Sequence, residues 1–431
     1  MRDFFTVLIG KTVRALAKLR GGGSAFPGLV IEKVDPGFLA RALDRLPLGV
    51  VVVSGTNGKT TTSKIVVELL ESTGLRVFTN STGSNFSRGV IAALLQRVNL
   101  KGETDADIAV LELDEAHAMY FIAQVKPKYT LLLNVLRDQL DRFGEIDTTA
   151  KFLSNIAMAT TDTLVVNRED PLVRAIGEKV LAEHSSVRVK QFGLSENLLK
   201  MFPSDAELHG SDGSPLGSRP SAGDADVILT EVGLQSATFE VAGAPYTTDL
   251  KLEGVYNTFN AAAALALVRQ VCGSEVETPA LIDALSYVKP AFGRGERIEL
   301  DGLPLELVLV KNPAGFRLAL ESFEPEGFAT MIAINDNSAD GRDISWLWDV
   351  SFESLATFGV DTVTGIRAWD MALRLEHDGV AFRAVIEPLD TALNEFRAHS
   401  QGLPRRIYCT YTAMLELRKL IAKQTKVENV W

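Results

Sequence analysis

The strongest chemical signal in the chain is one short run, Ser54-Gly55-Thr56-Asn57-Gly58-Lys59-Thr60-Thr61. It stands between an apolar, strand-like segment, "LGVVVVSG", and a helix-like segment that begins at Lys59. A strand that turns through glycines into a helix presents successive backbone N–H groups and a helix N-terminus to a phosphate chain. Lys59 would then bridge the terminal phosphates and the Thr60 hydroxyl would ligate Mg²⁺, so the run predicts an ATP site. The usual Gly-x-x-x-x-Gly-Lys-Ser/Thr spacing asks for glycine where this chain has Val53, and a glycine stands at 55 instead. A bare glycine-rich turn would leave the coincidence of strand, glycines, Lys-Thr and helix without a reason.

Further candidates lie downstream. Glu112 ends the apolar strand "IAVLEL", at the carboxyl edge where α/β sheets bind ligands, and a carboxylate there suits Mg²⁺, which prefers oxygen. Asp114 and Glu115 follow it, either as further site carboxylates or as solvated acids of a turn. Asn257 and Asn260 are three apart on one helical face, where amides contact a base or cap the helix. Arg294, in a Gly-Arg-Gly turn, would clamp phosphate or pair with a carboxylate between domains.

Positioning these residues requires a scaffold of alternating strands and helices. "VVVSG", "RVFTN", "IAVLEL", "YTLLLNV" and "TLVVN" read as buried strands, separated by helical stretches at 59–72, 86–98, 115–125 and 148–160. That order predicts a parallel sheet with helices on its faces. Residues 196–224 break the rhythm with Gly, Pro, Ser and Asp and read as an exposed insertion, after which "ADVILTEV" and "SATFEV" resume as strands. A second α/β unit carries "LELVLV", "TMIAIN", "VDTVTGI", "VAFRAVI" and "RRIYCT". The expected organisation is a helical segment over 1–48, a nucleotide-binding domain over 49–301 and a smaller Rossmann-like domain over 302–431. In the first segment, a helix from Val7 alternates apolar residues with Lys11, Arg14, Lys18 and Arg20 and ends at Gly21 to Gly23, with a short connector to the first strand. Its stripe packs on its own domain, or its basic face rests near anionic lipid.

Composition narrows the function classes. The chain has 431 residues, 46% hydrophobic and 23% charged, enough for a substantial core. A formal charge of −11 argues against a chain built to hold nucleic acid. Cys272 and Cys409 alone supply neither a disulfide framework nor a four-cysteine zinc site, and His117, His184, His209, His377 and His399 show no zinc spacing. A reducing cytoplasm is the expected compartment.

The run "SGTNGKTTTS" resembles the ATP loop of the Mur ligase superfamily. "LELDEA" (111–116), "GVYNTFNAAAALA" (254–266) and "FGRGERIEL" (292–300) fit its acidic strand end, adenine-side segment and hinge in the same order. Only about fifty residues precede the loop, too few for the uridine-binding domain of its UDP-linked members. "LLLNVLRDQLDRFGEIDT", "VKNPAGF", "AINDNSADGRDISWLWDVSFE" and "VTGIRA" resemble the MurT family, the ligase-like subunits of lipid II isoglutaminyl synthases.

The resemblance implies a Mur ligase-like P-loop ATPase domain followed by a MurT-type domain. It also implies ATP-dependent amidation of the D-glutamate α-carboxyl of lipid II through an acyl phosphate. The ammonia would come from a GatD-like glutaminase on another chain, at the inner face of the membrane. Gly55, Thr56, Asn57, Gly58, Lys59, Thr60, Thr61, Asn257, Asn260 and Arg294 would hold ATP, and Thr60 and Glu112 would hold Mg²⁺. Asp349 would face the partner's catalytic Cys and His. Where many family members carry a four-cysteine zinc ribbon, residues 196–240 contain no cysteine, and Asp138-Gln139-Leu140-Asp141 stands where other Mur ligases have Asp-His-x-Asp. The competing readings are a single-chain amino acid ligase of the folylpolyglutamate synthase kind and a non-catalytic ATP-binding scaffold.

Overall fold

The computed structural model describes residues 2–19, 25–80, 86–136, 146–201, 225–233, 235–251, 255–289 and 294–425. The chain opens with three helices, α1 (Arg2–Leu19), α2 (Phe26–Val34) and α3 (Phe38–Leu43). The first was expected; the other two replace the short connector expected before the first strand. Pro27 in the first turn of α2 explains why this Pro-Gly segment supports a helix: proline is pre-set for that position and has no N–H to leave unbonded.

The first sheet begins with β1 (Val50–Ser54), buried along its whole length, followed by α4 (Lys59–Ser72), β2 (Val77–Thr79), α5 (Ser87–Arg97) and β3 (Ile108–Glu112). Next come α6 (Glu115–Ile122), β4 (Tyr129–Leu132), α7 (Ile146–Met158), β5 (Thr163–Asn167), α8 (Pro171–Glu183) and β6 (Arg188–Leu194). The sheet is completed by β7 (Val227–Val232), β8 (Ser236–Val241) and β9 (Ala244–Asp249), and is followed by α9 (Val255–Cys272) and α10 (Thr278–Leu285). Its order is β2-β3-β1-β4-β5-β6-β7-β8-β9. Strands β1 to β7 run parallel, but β8 and β9 pair antiparallel, so the sheet is mixed where a parallel one was expected. The reason is local: β7, β8 and β9 are joined by turns too short for a helical crossover.

Alternate residues of β1 feed two cores. Val51 and Val53 pack with Ile65 and Leu69 of α4 and Ala261 to Val268 of α9. Val50 and Val52 face Val7, Ile31, Leu39 and the helices of the other side. This two-sided burial explains the unbroken valine run.

The second sheet takes in β10 (Arg294–Leu300), ahead of the change of domain expected near 301, and then β11 (Leu303–Leu309). The chain continues through α11 (Pro313–Ser322), β12 (Ala329–Ala333), β13 (Val360–Thr364), α12 (Ala368–His377), β14 (Phe382–Ile386), α13 (Leu389–His399), β15 (Arg405–Cys409) and α14 (Tyr411–Ile421). The order is β10-β11-β15-β12-β13-β14, all parallel except β10. One face is filled by α11 and α12, the other by α13 and α14. Of the expected insertion, 202–224 lie outside the described residues.

Candidate active site

The site forms where β1 hands the chain to α4. Gly55 and Gly58 have φ of 136° and 88°, values that side chains rarely adopt. At Gly58 space matters as well, since a Cβ would stand 2.6 Å from Asn260 Oδ1 on α9. The loop is therefore clasped against α9 at Asn260.

A second clasp comes from the segment after β4, whose Asn134 the sequence reading did not single out. Asn57 N donates to Asn134 Oδ1 (2.8 Å) and Asn134 Nδ2 donates back to Asn57 O (3.1 Å). Thr56 N donates to Asn134 O (3.0 Å), and Leu136 N donates to Thr56 Oγ1 (3.0 Å). The second domain supplies a third clasp. Asn312, fully buried as the N-cap of α11, exchanges amide hydrogen bonds with Asn57 at 3.2 and 3.0 Å, from a position 255 residues away. Loop and second domain are thus joined directly.

Lys59 is nearly buried. Its ammonium donates to Gly55 O, to Thr56 O (3.3 Å) and to Glu115 Oε1 (3.2 Å). Glu115 begins α6 and is itself buried, so of the two acids left open by the sequence it is a site residue. Asp114 instead contacts His117 Nδ1 at 3.1 Å.

Thr60 and Glu112 meet as expected, with Thr60 Oγ1 donating to Glu112 Oε1 at 3.0 Å. Asn80 holds the Glu112 backbone by paired bonds of 2.8 and 3.0 Å, so the carboxylate rests on a fixed strand end. Oxygens adjacent in an octahedral Mg²⁺ shell, each about 2.1 Å from the ion, stand about 3 Å apart, so the hydroxyl and carboxylate fit that ion. Thr61 is buried and its hydroxyl has no hydrogen-bond partner among the described residues.

Beside the loop is a cleft lined in part by Asn134, Phe192, Tyr256, Phe259 and Asn260. Burial pushes the Tyr256 hydroxyl well above its ordinary range, so it remains neutral. The floor of the cleft is set by "NRED" at 167–170, also missed. Asp170 caps α8 through Leu172 N and Val173 N and accepts from Val135 N (2.7 Å), while Glu169 pairs with Arg168 at 2.8 Å. An Asp followed by Pro at the start of a helix-like run was the available signal.

The other residues singled out in the sequence fall on the following elements. Asn257 is half-buried on α9 and does not line the cleft. Arg294 opens strand β10 opposite Val308, where a turn was expected, because its segment pairs with β11. Asp349 ends a 3₁₀ turn, Ser345–Asp349, in the second domain; it is exposed, and its backbone oxygen accepts from Arg317. Asp138, Gln139, Leu140 and Asp141 lie outside the described residues. Cys409 is buried in β15 and Cys272 half-buried, its thiol pushed up by burial.

Comparison with known proteins agrees with this architecture. The Mur ligase middle domain model matches residues 53–268 and the MurT ligase C-terminal model matches 309–414. The chain is 29% identical to the lipid II isoglutaminyl synthase (glutamine-hydrolyzing) subunit MurT of Streptococcus pneumoniae, covering 98% of each chain. It is 28% identical to the subunit of the same name from Staphylococcus aureus, covering 90% of each. In fold it resembles MurF from Acinetobacter baumannii, with a TM-score of 0.66 at 20% identity, covering 90% of this chain and 78% of that one. A pseudomurein peptide ligase type C from Methanothermus fervidus superposes with a TM-score of 0.65 at 16% identity, covering 89% and 80%. With the middle-domain model spanning half of the sequence and the MurT model most of the second domain, the chain belongs to the Mur ligase family, in its MurT branch.

Proposed function

We propose that the chain is the ATP-dependent subunit that amidates the D-glutamate α-carboxyl of lipid II, using ammonia released by a separate GatD-like glutaminase. The observation that carries this reading is the pair Thr60 and Glu112, 3.0 Å apart at the mouth of a phosphate loop tied to the second domain. A scaffold that only binds ATP has no use for a carboxylate and a hydroxyl set at metal-ligand spacing.

In this reading the loop amides of Gly55 to Thr61 and the N-terminus of α4 hold the ATP phosphates, and the Asn260 side of the cleft takes the base. Thr60 and Glu112 hold Mg²⁺, which would supply positive charge to the phosphate oxygens. Lys59 exchanges its contacts with Gly55 O and Thr56 O for phosphate oxygens, while Glu115 keeps the ammonium oriented. The carboxylate oxygen of D-glutamate attacks the γ-phosphorus and ADP leaves, giving an acyl phosphate. Ammonia then adds to the carbonyl carbon, phosphate leaves with one of the original carboxylate oxygens, and a proton is released. Arg294 adds a phosphate contact, and exposed Asp349 orients the partner's catalytic histidine. The domains proposed are those read from the sequence, 1–48, 49–301 and 302–431, with the last boundary moved ahead of β10 because that strand belongs to the second sheet. No described helix is long and apolar enough to cross a membrane, and the enzyme is proposed to act from the cytoplasm on substrate at the inner membrane face.

The test is to combine the chain with its glutaminase, lipid II, ATP and glutamine and to weigh the stem peptide. Replacement of a hydroxyl by an amino group, dependent on both ATP and glutamine, is expected. Amidation that needs no partner in the presence of glutamine, or ligation of an amino acid, would overturn the assignment.

A further inference from the structure

Helix α1 is apolar on the side that the fold does not use. Its inner face is fixed to the domain: Val7 is fully buried in the core, Thr6 Oγ1 donates to Asp35 (2.7 Å), and Lys11 Nζ donates to Val98 O (2.8 Å). The outer face repeats at helical spacing through Phe4, Phe5, Leu8, Ile9, Leu16 and Leu19, all exposed, with Phe5 at 59%, Leu16 at 57% and Leu19 at 84%. Thr12, the one hydroxyl within this stripe, donates to Leu8 O (2.8 Å), so its polar atom is turned to its own backbone. The sequence left two readings open, an apolar stripe packed on its own domain or a basic face near anionic lipid; the helix packs on its domain through Val7, and most of its large apolar side chains face outward.

Charge sets the helix apart as well. It carries Arg2, Lys11, Arg14 and Lys18 against the single acid Asp3, in a chain whose net charge is −11. Asp3 is taken up by Arg41 at 2.7 Å and Arg45 at 2.6 Å. A solvent-facing row of aromatic and aliphatic side chains on a net-cationic helix has the chemistry of a segment that lies in a membrane interface. A second copy of the chain would bring like charges together, whereas anionic headgroups complement them.

We propose that α1 is an interfacial docking helix that lies flat on an anionic bilayer, its outer stripe among the upper acyl chains and Arg2 and Arg14 at headgroup level. The purpose of such docking rests on the proposed lipid-linked substrate, but the binding itself does not. At 1.5 Å per residue the helix is about 27 Å long and lies on the bilayer without spanning it. Docking there holds the phosphate loop close to the surface that carries the substrate.

The test uses the full chain and vesicles free of lipid II, one set of phosphatidylcholine alone and one of phosphatidylcholine with phosphatidylglycerol. Co-sedimentation with the phosphatidylglycerol vesicles, weakened by salt, is expected. A Phe5→Ser, Leu8→Ser, Leu16→Ser variant, whose changes are all at exposed positions, should bind about tenfold or more weakly. With the glutaminase present, this variant should amidate a water-soluble stem peptide at the parental rate and vesicle-borne substrate more slowly. The proposal is overturned if the parent does not bind vesicles or if the variant binds equally well. It is also overturned if the parent sediments as a dimer that the variant loses while neither binds lipid, since the stripe would then belong to a second copy. Vesicle binding without amidation of either substrate would refute the proposed reaction and leave the docking helix standing.

Discussion

The carboxyl edges of the two parallel sheets both gather polar side chains, yet they are wired differently. At the first, Lys59 rests on two carbonyls of its own loop and one carboxylate, and Thr60 rests on Glu112. A phosphate can take over the two carbonyl contacts, and a divalent ion can take over the contact between Thr60 and Glu112, while Glu115 keeps Lys59 in place. At the second, Asp340 accepts from Thr412 N (2.8 Å), Thr412 Oγ1 and Asn337 N (3.1 Å). Asn335 there donates to Thr412 Oγ1 (3.1 Å) and accepts from Ile366 N (3.0 Å). These bonds tie the ends of β12, β13 and β15 together, with buried donors and acceptors satisfied inside the fold. The first edge is organised to exchange partners and the second to keep them. Substitutions at the first should therefore cost turnover, and substitutions at the second should cost stability.

The largest effect is expected from Lys59→Ala, with turnover falling on the order of 10²–10³-fold through loss of charge at the transferring phosphoryl group. This variant also strands Glu115, and breaking a buried pair costs about 3 kcal/mol. Adding Glu115→Gln should recover the thermal stability in calorimetry while turnover stays lost; recovered turnover would show that Lys59 only neutralises Glu115. Next, Glu112→Gln should weaken Mg²⁺ activation roughly 10- to 100-fold, read as a higher Mg²⁺ requirement, with little change in melting. At the other edge, Asp340→Ala should cost about 1–3 kcal/mol in denaturant unfolding through its unsatisfied partners, with kcat per folded molecule retained. A large fall in kcat there would collapse the contrast between the two edges.

Asn312→Ala should cost about 1 kcal/mol as a lost N-cap and also loosen the Asn57 joint, raising KM for ATP more than a cap alone would. The smallest effect concerns Asp35. Burial opposes its ionisation, but hydrogen bonds from Arg41, Thr6 and Arg2 hold its carboxyl below the usual range. Because the folded value is the lower one, its stabilisation is complete above the ordinary value of 3.8 and is lost as the pH falls through that value toward the folded one. Asp35→Asn should flatten this acid limb in melting curves recorded against pH.

What the sequence disclosed and what it hid follow one physical line. The loop, Lys59, Thr60 and Glu112 were legible because a strand, a turn and a helix N-terminus fix their geometry within a few residues of chain. Strands such as β1 and β12 were legible because burial on both faces demands unbroken apolar runs. Asn134 and Asn312 were not, and Glu115 stayed open between two readings, because each acts by meeting another segment, and spacing along the chain does not encode that meeting. The two helices α2 and α3 were hidden by Pro-Gly pairs that also mark turns, and β9 by its exposed, polar alternation. The outward face of α1 stayed open because a stripe shows periodicity without showing which side the core takes.

The account's central claim, that this loop activates a carboxylate by phosphorylating it, is tested most directly by isotope transfer. With the α-carboxylate of the substrate labelled in heavy oxygen and the glutaminase, ATP and glutamine supplied, one labelled oxygen is predicted in each phosphate released, in step with amide formed. Phosphate free of label, with amidation proceeding normally, would contradict the claim.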